Sequence, residues 1–143
     1  MPTRRMAREL ALQALFSVEI GHREPADVLD ETFAHAGSNS SQRVFIKELV
    51  YGTLEYADES DQTVTPLLQG WTLERLPTID RLLLRMSMYE LRHCPQTPRP
   101  VIINEAVELA KKFSTEDSGR FVNGVLSSAT NNHASSAVKT DVV

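Results

Sequence analysis

Three arginine residues near the N-terminus, Arg4, Arg5 and Arg8, are spaced so that a helix could present them to phosphate groups. Residues three and four positions apart share one face of a helix, and planar guanidinium groups pair well with phosphate oxygens. The first eight residues contain no acidic side chain, although the whole chain has a formal net charge of −4. The segment is therefore a candidate phosphate-binding end on an acidic protein; the alternative is a solvated or disordered basic terminus.

Residues suited to enzymatic or metal chemistry form no recognisable pattern. The histidines are scattered, at His22, His35, His93 and His133, and none has metal-binding spacing with a carboxylate. Neither a glycine-rich phosphate loop nor a nucleophile elbow is present. Cys94 follows His93, but adjacent side chains seldom reach the geometry of a Cys–His nucleophile. The sequence thus predicts no enzyme, no metal site and no cofactor.

The size and composition of the chain are typical of a soluble globular domain. A chain of 143 residues can bury roughly two-thirds of its unfolded surface, so it needs neither a metal nor a disulfide to fold. Its one cysteine cannot form an intrachain disulfide, which fits a reducing cytoplasm. No run of about eighteen apolar residues occurs. We therefore expect a cytoplasmic protein that makes no contact with a membrane.

Apolar residues recur at intervals of three and four along most of the chain, and no segment alternates as a strand does. This pattern predicts an all-α fold of about seven helices. We expect one domain, 1–129, made of two packed subdomains, 1–68 and 69–129. Trp71 is predicted to fill a gap in the core or between helices. Residues 130–143, rich in Ser, Asn, Ala and Thr, are predicted to form a disordered tail.

Two amphipathic helices are predicted to meet between residues 101 and 126. Ser114 followed by Asp117 resembles a capping box, so the second helix is expected to begin near Thr115. The apolar residues expected to hold this pair in the bundle are Ile103, Ala106, Val107, Val122 and Val125.

Three motifs, taken together, resemble the NusB family of bacterial transcription antitermination factors. They are the arginine-rich start at 4–16, the Leu-Arg-Met-Ser-Met-Tyr-Glu-Leu segment at 84–91, and the paired segments at 103–113 and 117–126. No single motif would be sufficient, but in this order they extend over most of the chain.

The resemblance implies an all-helical protein of two packed subdomains that binds the boxA element of nascent ribosomal or leader RNA, without covalent chemistry. It also implies that binding is shared with the small-subunit ribosomal protein NusE, and that the pair joins elongating RNA polymerase with other Nus factors. The family's arginine-rich segment matches Arg4, Arg5 and Arg8, which become candidate contacts to RNA phosphates. Met6 stands where some members have a further arginine, so phosphate affinity is expected to depend more on the partner.

Further candidate RNA contacts lie on the first and last helices. Single-stranded RNA is recognised through stacking groups and amide hydrogen bonds to base edges. Phe121, Arg120 and Asn123 could supply them if the first and last helices pack side by side, although Phe121 alone is more typical of a core residue. Gln13 is a similar candidate, and Asp117 is either a helix cap or a residue near the RNA and partner surface.

The middle motif matches the family's partner-binding surface, so its polar residues become candidate contacts to NusE. They are Asp80, Arg85, Tyr89 and Glu90. For Tyr89 the alternative is a half-buried core residue whose hydroxyl group is in contact with water. For Asp80 it is an acidic residue in the first turn of a helix.

Two other functions stay open at this point. The chain could be a helical protein-interaction module without intrinsic RNA binding, or a homodimer that buries the arginine-rich surface. A related helical RNA-binding domain is fused to ribosomal RNA cytosine methyltransferases, but this sequence is too short to include such an enzyme.

Overall fold

The regular structure of the described residues is entirely helical in this computed structural model. The structure describes residues 4–36 and 39–142, apart from the side chains of residue 36 and of residues 132–142. These residues form α1 (Arg4–Gly21), α2 (Pro25–Ala36), α3 (Ser40–Glu55), α4 (Ala57–Val64), α5 (Thr78–His93), α6 (Arg99–Phe113) and α7 (Glu116–Val142), with 3₁₀ turns at Thr65–Leu67 and Leu73–Arg75. The predicted all-α fold is confirmed. No described helix is long and apolar enough to cross a membrane.

The first of two compact units ends at Ala57 and contains α1, α2 and α3. Helix α1 packs against both of the other helices. Its buried face is rich in small residues such as Ala7 and Ala11, which permit close packing against α3, where Ile46 and Leu49 are fully buried. The N-terminal core is therefore formed mainly between α1 and α3.

The second unit begins at Asp58, and in it α6 packs against both α5 and α7. Helix α5 is buried on most sides; its buried residues are Asp80, Leu82, Leu83, Leu84, Met86, Ser87, Met88, Tyr89 and Glu90. Gly119 of α7 faces Lys111 of α6 so closely that a Cβ atom on it would lie 2.9 Å from the Lys111 Cγ. The absence of a side chain at Gly119 therefore permits the close approach of α6 and α7.

Helix α4 is grouped with the second unit, whereas the sequence suggested a division after residue 68. Arg85 of α5 donates from Nε and Nη2 to the two carboxylate oxygens of Asp61, at 2.8 Å each. Arg92 Nη1 donates to Glu59 Oε1 at 3.1 Å. These paired charges fasten α4 to α5, and they join residues too far apart in sequence for local periodicity to reveal.

The turn before Trp71 passes through left-handed backbone at Gln69 and Gly70, with φ values of 50° and 94°. Gly70 adopts this conformation readily because it has no Cβ. The Trp71 N–H donates to the Leu68 carbonyl at 3.2 Å, and the Trp71 residue is 55% exposed. Trp71 therefore does not fill a gap in the core, and the alternative, a position between helices, stays a prediction.

Helix α7 continues to Val142, and its side chains are described as far as Asn131. A disordered tail is predicted at 130–143, and most of the side chains in this range lie outside the described residues. It stays a prediction.

Candidate nucleic-acid interface

The N-terminal arginines do not share one environment. Arg4 and Arg5 are exposed, whereas Arg8 is only 4% exposed. The Arg4 guanidinium lies 3.9 Å from the centroid of the Phe45 ring, and that of Arg8 lies 5.4 Å from it. Arg8 is therefore not presented to solvent with the other two arginines, because it is covered where α1 meets α3. The exposed members of the predicted set are Arg4 and Arg5.

Gln13 is exposed on α1 and lines a groove of about 330 Å³ between α1 and α2. The same groove contains Arg23, whose Nη1 donates to Glu31 Oε2 at 2.8 Å. Hydrogen bonding to Arg23 lowers the pKa of the Glu31 carboxyl group below its usual value, and the same bond raises the pKa of Arg23. The Arg23 guanidinium group in this groove is thus already paired with the Glu31 carboxylate.

A larger and more cationic groove lies between α6 and α7. It has a volume of about 610 Å³. Its cationic residues are Arg99, Lys111 and Arg120, and its amide residues are Asn104 and Asn123. The described residues that line it include no carboxylate. Such a groove can bind phosphate oxygens through its cations and base edges through its amides.

A second cavity, of about 230 Å³, lies on another face of α7. Asp117 and Phe121 line it, together with Asp80 and Trp71. The four α7 residues predicted to contact RNA are therefore divided between two cavities, with Arg120 and Asn123 in the larger one. Arg120 and Phe121 are adjacent in sequence and so point about 100° apart on the helix. The elements packed on either side, α6 for the larger cavity and the segment before α5 for the smaller, then decide which cavity each residue lines.

One ion pair connects the two faces of α7. Arg120 Nη2 donates to Asp117 Oδ1, three positions earlier in the helix. Both side chains are largely exposed, so solvent screens their attraction and the pair contributes little to stability. It nevertheless gives Arg120 an internal anion that competes with any phosphate in the groove.

The start of α7 is fixed by a chain of hydroxyl groups. The Ser118 N–H donates to Thr115 Oγ1 at 3.0 Å, so Thr115 caps the helix rather than the predicted Ser114. The Thr115 hydroxyl donates to Ser118 Oγ at 3.0 Å, and Ser118 Oγ donates to Asp80 Oδ2 at 2.9 Å. The first turn of α7 is thereby fastened to the first turn of α5.

The residues predicted to contact a protein partner are mostly engaged within the second unit. Glu90 is 1% exposed, and Tyr89 is buried with its ring stacked on His93 at a centroid distance of 5.3 Å. Arg85 is held by the Asp61 carboxylate. Tyr89 and Glu90 are buried because α5 is covered on several sides, and the assignment of this set to a partner surface stays a prediction. Asp80 is also buried, but it lines the smaller cavity.

Sequence reasoning missed several residues of both cavities. Arg99 and Lys111 belong to the cationic groove, while Trp71 and Ser118 line the smaller cavity. Lys111 lies seven residues after Asn104, about two helical turns, so a helical-wheel plot could have placed it on the Asn104 face. Arg99 lies five residues before Asn104, about 140° around the helix, so no such plot would have grouped the two. Among the described residues, no group of three or more His, Cys, Asp or Glu side chains is arranged to hold a metal ion.

Comparisons with known proteins agree with this architecture. Residues 5–131 match the model of the NusB family. The chain is 44% identical over 124 residues to the transcription antitermination protein NusB of Geobacillus kaustophilus, covering 87% of this chain and 92% of that protein.

Solved structures give the same result. T. maritima NusB superposes with a TM-score of 0.84 and 32% identity, covering 92% of this chain and 93% of that one. A chain in the crystal structure of antitermination factors NusB and NusE in complex with double-stranded RNA has a TM-score of 0.82 and 25% identity, covering 90% and 96%. Since the family model spans most of the sequence and the fold agrees over nearly the same length, this chain belongs to the NusB family.

Proposed function

We propose that this protein is a transcription antitermination factor that binds boxA RNA together with NusE. The pair would join an elongation complex with RNA polymerase and other Nus factors, which places the protein in the bacterial cytoplasm. The observation that carries the proposal is the fold shared over 90% of the chain with a member of a NusB–NusE–RNA complex. Binding alone accounts for this function, and no covalent step is required of the protein.

The α6–α7 groove is the best-supported RNA surface in the second unit. Arg99, Lys111 and Arg120 provide cations for phosphates, while Asn104 and Asn123 provide amides. With a net charge of −4, most of the protein surface is not expected to attract a polyanion, so the phosphate contacts are confined to local cationic sites.

In the first unit, Arg4 and Arg5 are the arginines exposed for phosphate binding. Arg8 is buried against the same Phe45 ring as Arg4, so we expect it to position that ring rather than to contact phosphate itself. Gln13 has an exposed amide that is suited to a base or sugar contact.

The decisive experiment is a titration of labelled boxA RNA with this protein, with NusE and with their mixture. We expect the mixture to bind boxA more tightly than a scrambled RNA of equal length. The affinity should fall with salt, because each contacted phosphate releases counterions. A mixture that shows no preference for boxA would contradict the proposed function.

A second candidate function is self-association or protein interaction without RNA binding. Phe16 and Ile20, which lie four residues apart on α1, are exposed, as are Tyr51 and Leu54 of α3. Exposed apolar side chains of this size favour a protein contact where they are contiguous. Sedimentation with and without RNA distinguishes the two functions, since a masking homodimer should dissociate when boxA RNA and NusE are added.

A further inference from the structure

Two cations of the α6–α7 groove differ from other cations of the second unit in having no partner within the described protein. Arg85 and Arg92 are held by carboxylates of α4. The side chains of Arg99 and Lys111, by contrast, form no hydrogen bond or ion pair with any residue that the structure describes. A cation without an internal partner is available to a ligand, and both of these line the same groove.

The two side-chain amides of the groove are likewise unpaired. Neither Asn104 nor Asn123 has a side-chain hydrogen bond to a described residue, and both are exposed. Helices α6 and α7 are joined by a short turn and therefore run antiparallel, and Gly119 packs beside Lys111 and Val107. Asn123, about one turn after Gly119, thus passes near Asn104, which lies about one turn before Val107. Two unpaired amides at one level of a groove can bind the edge of a nucleobase.

The positive charge of the groove is concentrated at one end. Lys111 borders Gly119, and Arg120 is the next residue of α7, so both cations belong to the end near the turn between the helices. Arg99 begins α6, twelve residues before Lys111, which places it about 18 Å away along the helix axis. The groove thus has a strongly cationic end, a middle lined by amides and a second end with one cation.

The middle of the groove also has an apolar floor, formed by Ile103 and Val107, which are partly buried. A flat base can cover such a floor while its edge meets the amides above it. The groove volume of about 610 Å³ lies within the range of small-molecule sites. The groove is therefore large enough, and suitably lined, for a whole nucleotide.

The strongly cationic end suits a chain of phosphates better than a single backbone phosphate. A phosphodiester carries one negative charge, whereas a terminal phosphate chain carries several. Arg120 also has an internal partner, since its Nη2 donates to Asp117 Oδ1. A ligand has to compete with that carboxylate, and a multiply charged phosphate chain competes more effectively than one charge.

We propose that the α6–α7 groove binds a free nucleoside triphosphate in competition with RNA. The phosphate chain lies at Lys111 and Arg120, and the base lies on the apolar floor with its edge at Asn104 and Asn123. The bound nucleotide occupies the cations and amides that RNA would use, so it lowers the affinity for RNA. Nucleotide binding itself is independent of the proposed function, and only the competition rests on it.

The site is tested by titration of the full-length ¹⁵N-labelled protein without RNA, observed at the side-chain amide resonances of Asn104 and Asn123. The probes are adenosine triphosphate, inorganic triphosphate, adenosine, and adenylyl-adenosine, which contains one phosphodiester. We expect a saturable shift with adenosine triphosphate and an affinity at least about tenfold weaker for each of the other probes. No shift with adenosine triphosphate would overturn the inference.

Two of the probes distinguish other ligands. Inorganic triphosphate that binds as tightly as adenosine triphosphate would show a general attraction of polyanions. Adenylyl-adenosine that binds as tightly would identify a site for an RNA strand alone. Either result would overturn the inference.

Lys111→Ala should weaken the affinity for adenosine triphosphate by about tenfold. Lys112→Ala is the matched control, because Lys112 is exposed on the same helix but is not among the described residues that line the groove. The control should bind the nucleotide as the wild type does. Equal losses in the two variants would contradict binding in this groove.

Competition is measured by the anisotropy of labelled boxA RNA bound to the protein–NusE pair, with saturating adenosine triphosphate. The RNA affinity should fall about threefold or more relative to a control at equal ionic strength. If the nucleotide shifts the asparagine resonances but leaves the RNA affinity unchanged, the inference is overturned while the proposed function stands. If boxA RNA does not bind even without nucleotide, the proposed function fails, and the resonance titration still decides whether the nucleotide site exists.

Discussion

The two faces of α7 present opposite chemistry although the residues that define them lie within seven positions of each other, Asp117 to Asn123. One face contributes Arg120 and Asn123 to a cationic groove without carboxylates among its described lining residues. The other contributes Asp117 and Phe121 to an acidic, aromatic cavity. Residues adjacent in sequence can therefore serve ligands of different classes, and a motif should be divided by helix face before it is assigned one partner.

The strongest test of this comparison is charge reversal at Lys111, which lines the cationic groove. Lys111→Glu should weaken boxA RNA binding by the protein–NusE pair by about tenfold or more and reduce the salt slope by about one phosphate contact. Fluorescence anisotropy at several salt concentrations measures both quantities.

The matched control for that test is Lys112→Glu. Lys112 is exposed on the same helix but is not among the described residues that line the groove. The two variants have the same net charge, so equal losses of affinity would mean that RNA responds to overall charge rather than to this groove.

Removal of the charge at Asp117 should strengthen RNA binding, whereas Lys111→Glu should weaken it. Asp117→Asn replaces the carboxylate that pairs with Arg120 by a neutral amide, so the arginine becomes more available to phosphate. Because the pair is exposed, the expected gain in RNA affinity is modest, about two- to fivefold.

Glu116→Gln is the control for Asp117→Asn, since it removes one negative charge from the neighbouring exposed position. A gain of equal size in both variants would attribute the effect to general repulsion, and unchanged affinity in Asp117→Asn would show that the ion pair does not limit binding.

Two glycines of α7 sharpen the comparison further. Gly119→Ala should lower the free energy of unfolding by about 1 kcal/mol, because its Cβ would displace the Lys111 side chain. Gly124→Ala should raise it by about 0.5–1 kcal/mol, since a Cβ there would meet no atom within 4 Å and alanine favours the helix.

Thermal or urea unfolding measures both glycine variants, and anisotropy measures their RNA affinity. We expect Gly119→Ala alone to weaken RNA binding, as it moves a groove cation. Similar stability changes in the two variants would contradict the close approach of α6 and α7 at Gly119.

The smallest expected effect concerns Glu31, which lies in neither α7 cavity. Its pKa is lowered in the folded protein by the hydrogen bond from Arg23. The stabilisation is therefore present above the pKa of the unfolded carboxyl group and is lost as the pH falls through the lowered folded value.

Glu31→Gln should therefore slightly reduce the acid-dependent loss of stability, as measured by urea unfolding at neutral and acid pH. The affinity of this variant for boxA RNA at neutral pH should equal that of the wild type. Reduced affinity would extend the binding surface to the groove between α1 and α2.

The fold class could be predicted from the sequence because helix periodicity is a local property. Of the apolar residues expected to hold α6 to α7, Ala106, Val122 and Val125 are buried, whereas Ile103 and Val107 are only partly buried and line the cationic groove. Exposure of the polar residues was harder to predict. Arg8 is buried beside Phe45, and Arg85 pairs with Asp61, so in both cases a distant part of the sequence decides the environment.

The candidate site was only partly predictable for a related reason. Trp71 is exposed and follows left-handed backbone at Gln69 and Gly70, a conformation that composition does not reveal. Arg120 and Asn123 were recognised as polar residues of interest, but their separation from Asp117 and Phe121 depends on where α6 and the turn before α5 lie against α7.

The hydroxyl chain from Thr115 through Ser118 to Asp80 also limits how the sequence can change in evolution. Because each residue turns a helix by about 100°, a one-residue insertion or deletion just after Ser118 would rotate all later side chains relative to this anchor. The cationic and acidic faces would then be directed at the wrong neighbours, even if every functional residue were retained. We therefore expect substitutions in this segment to be tolerated far more often than changes in its length.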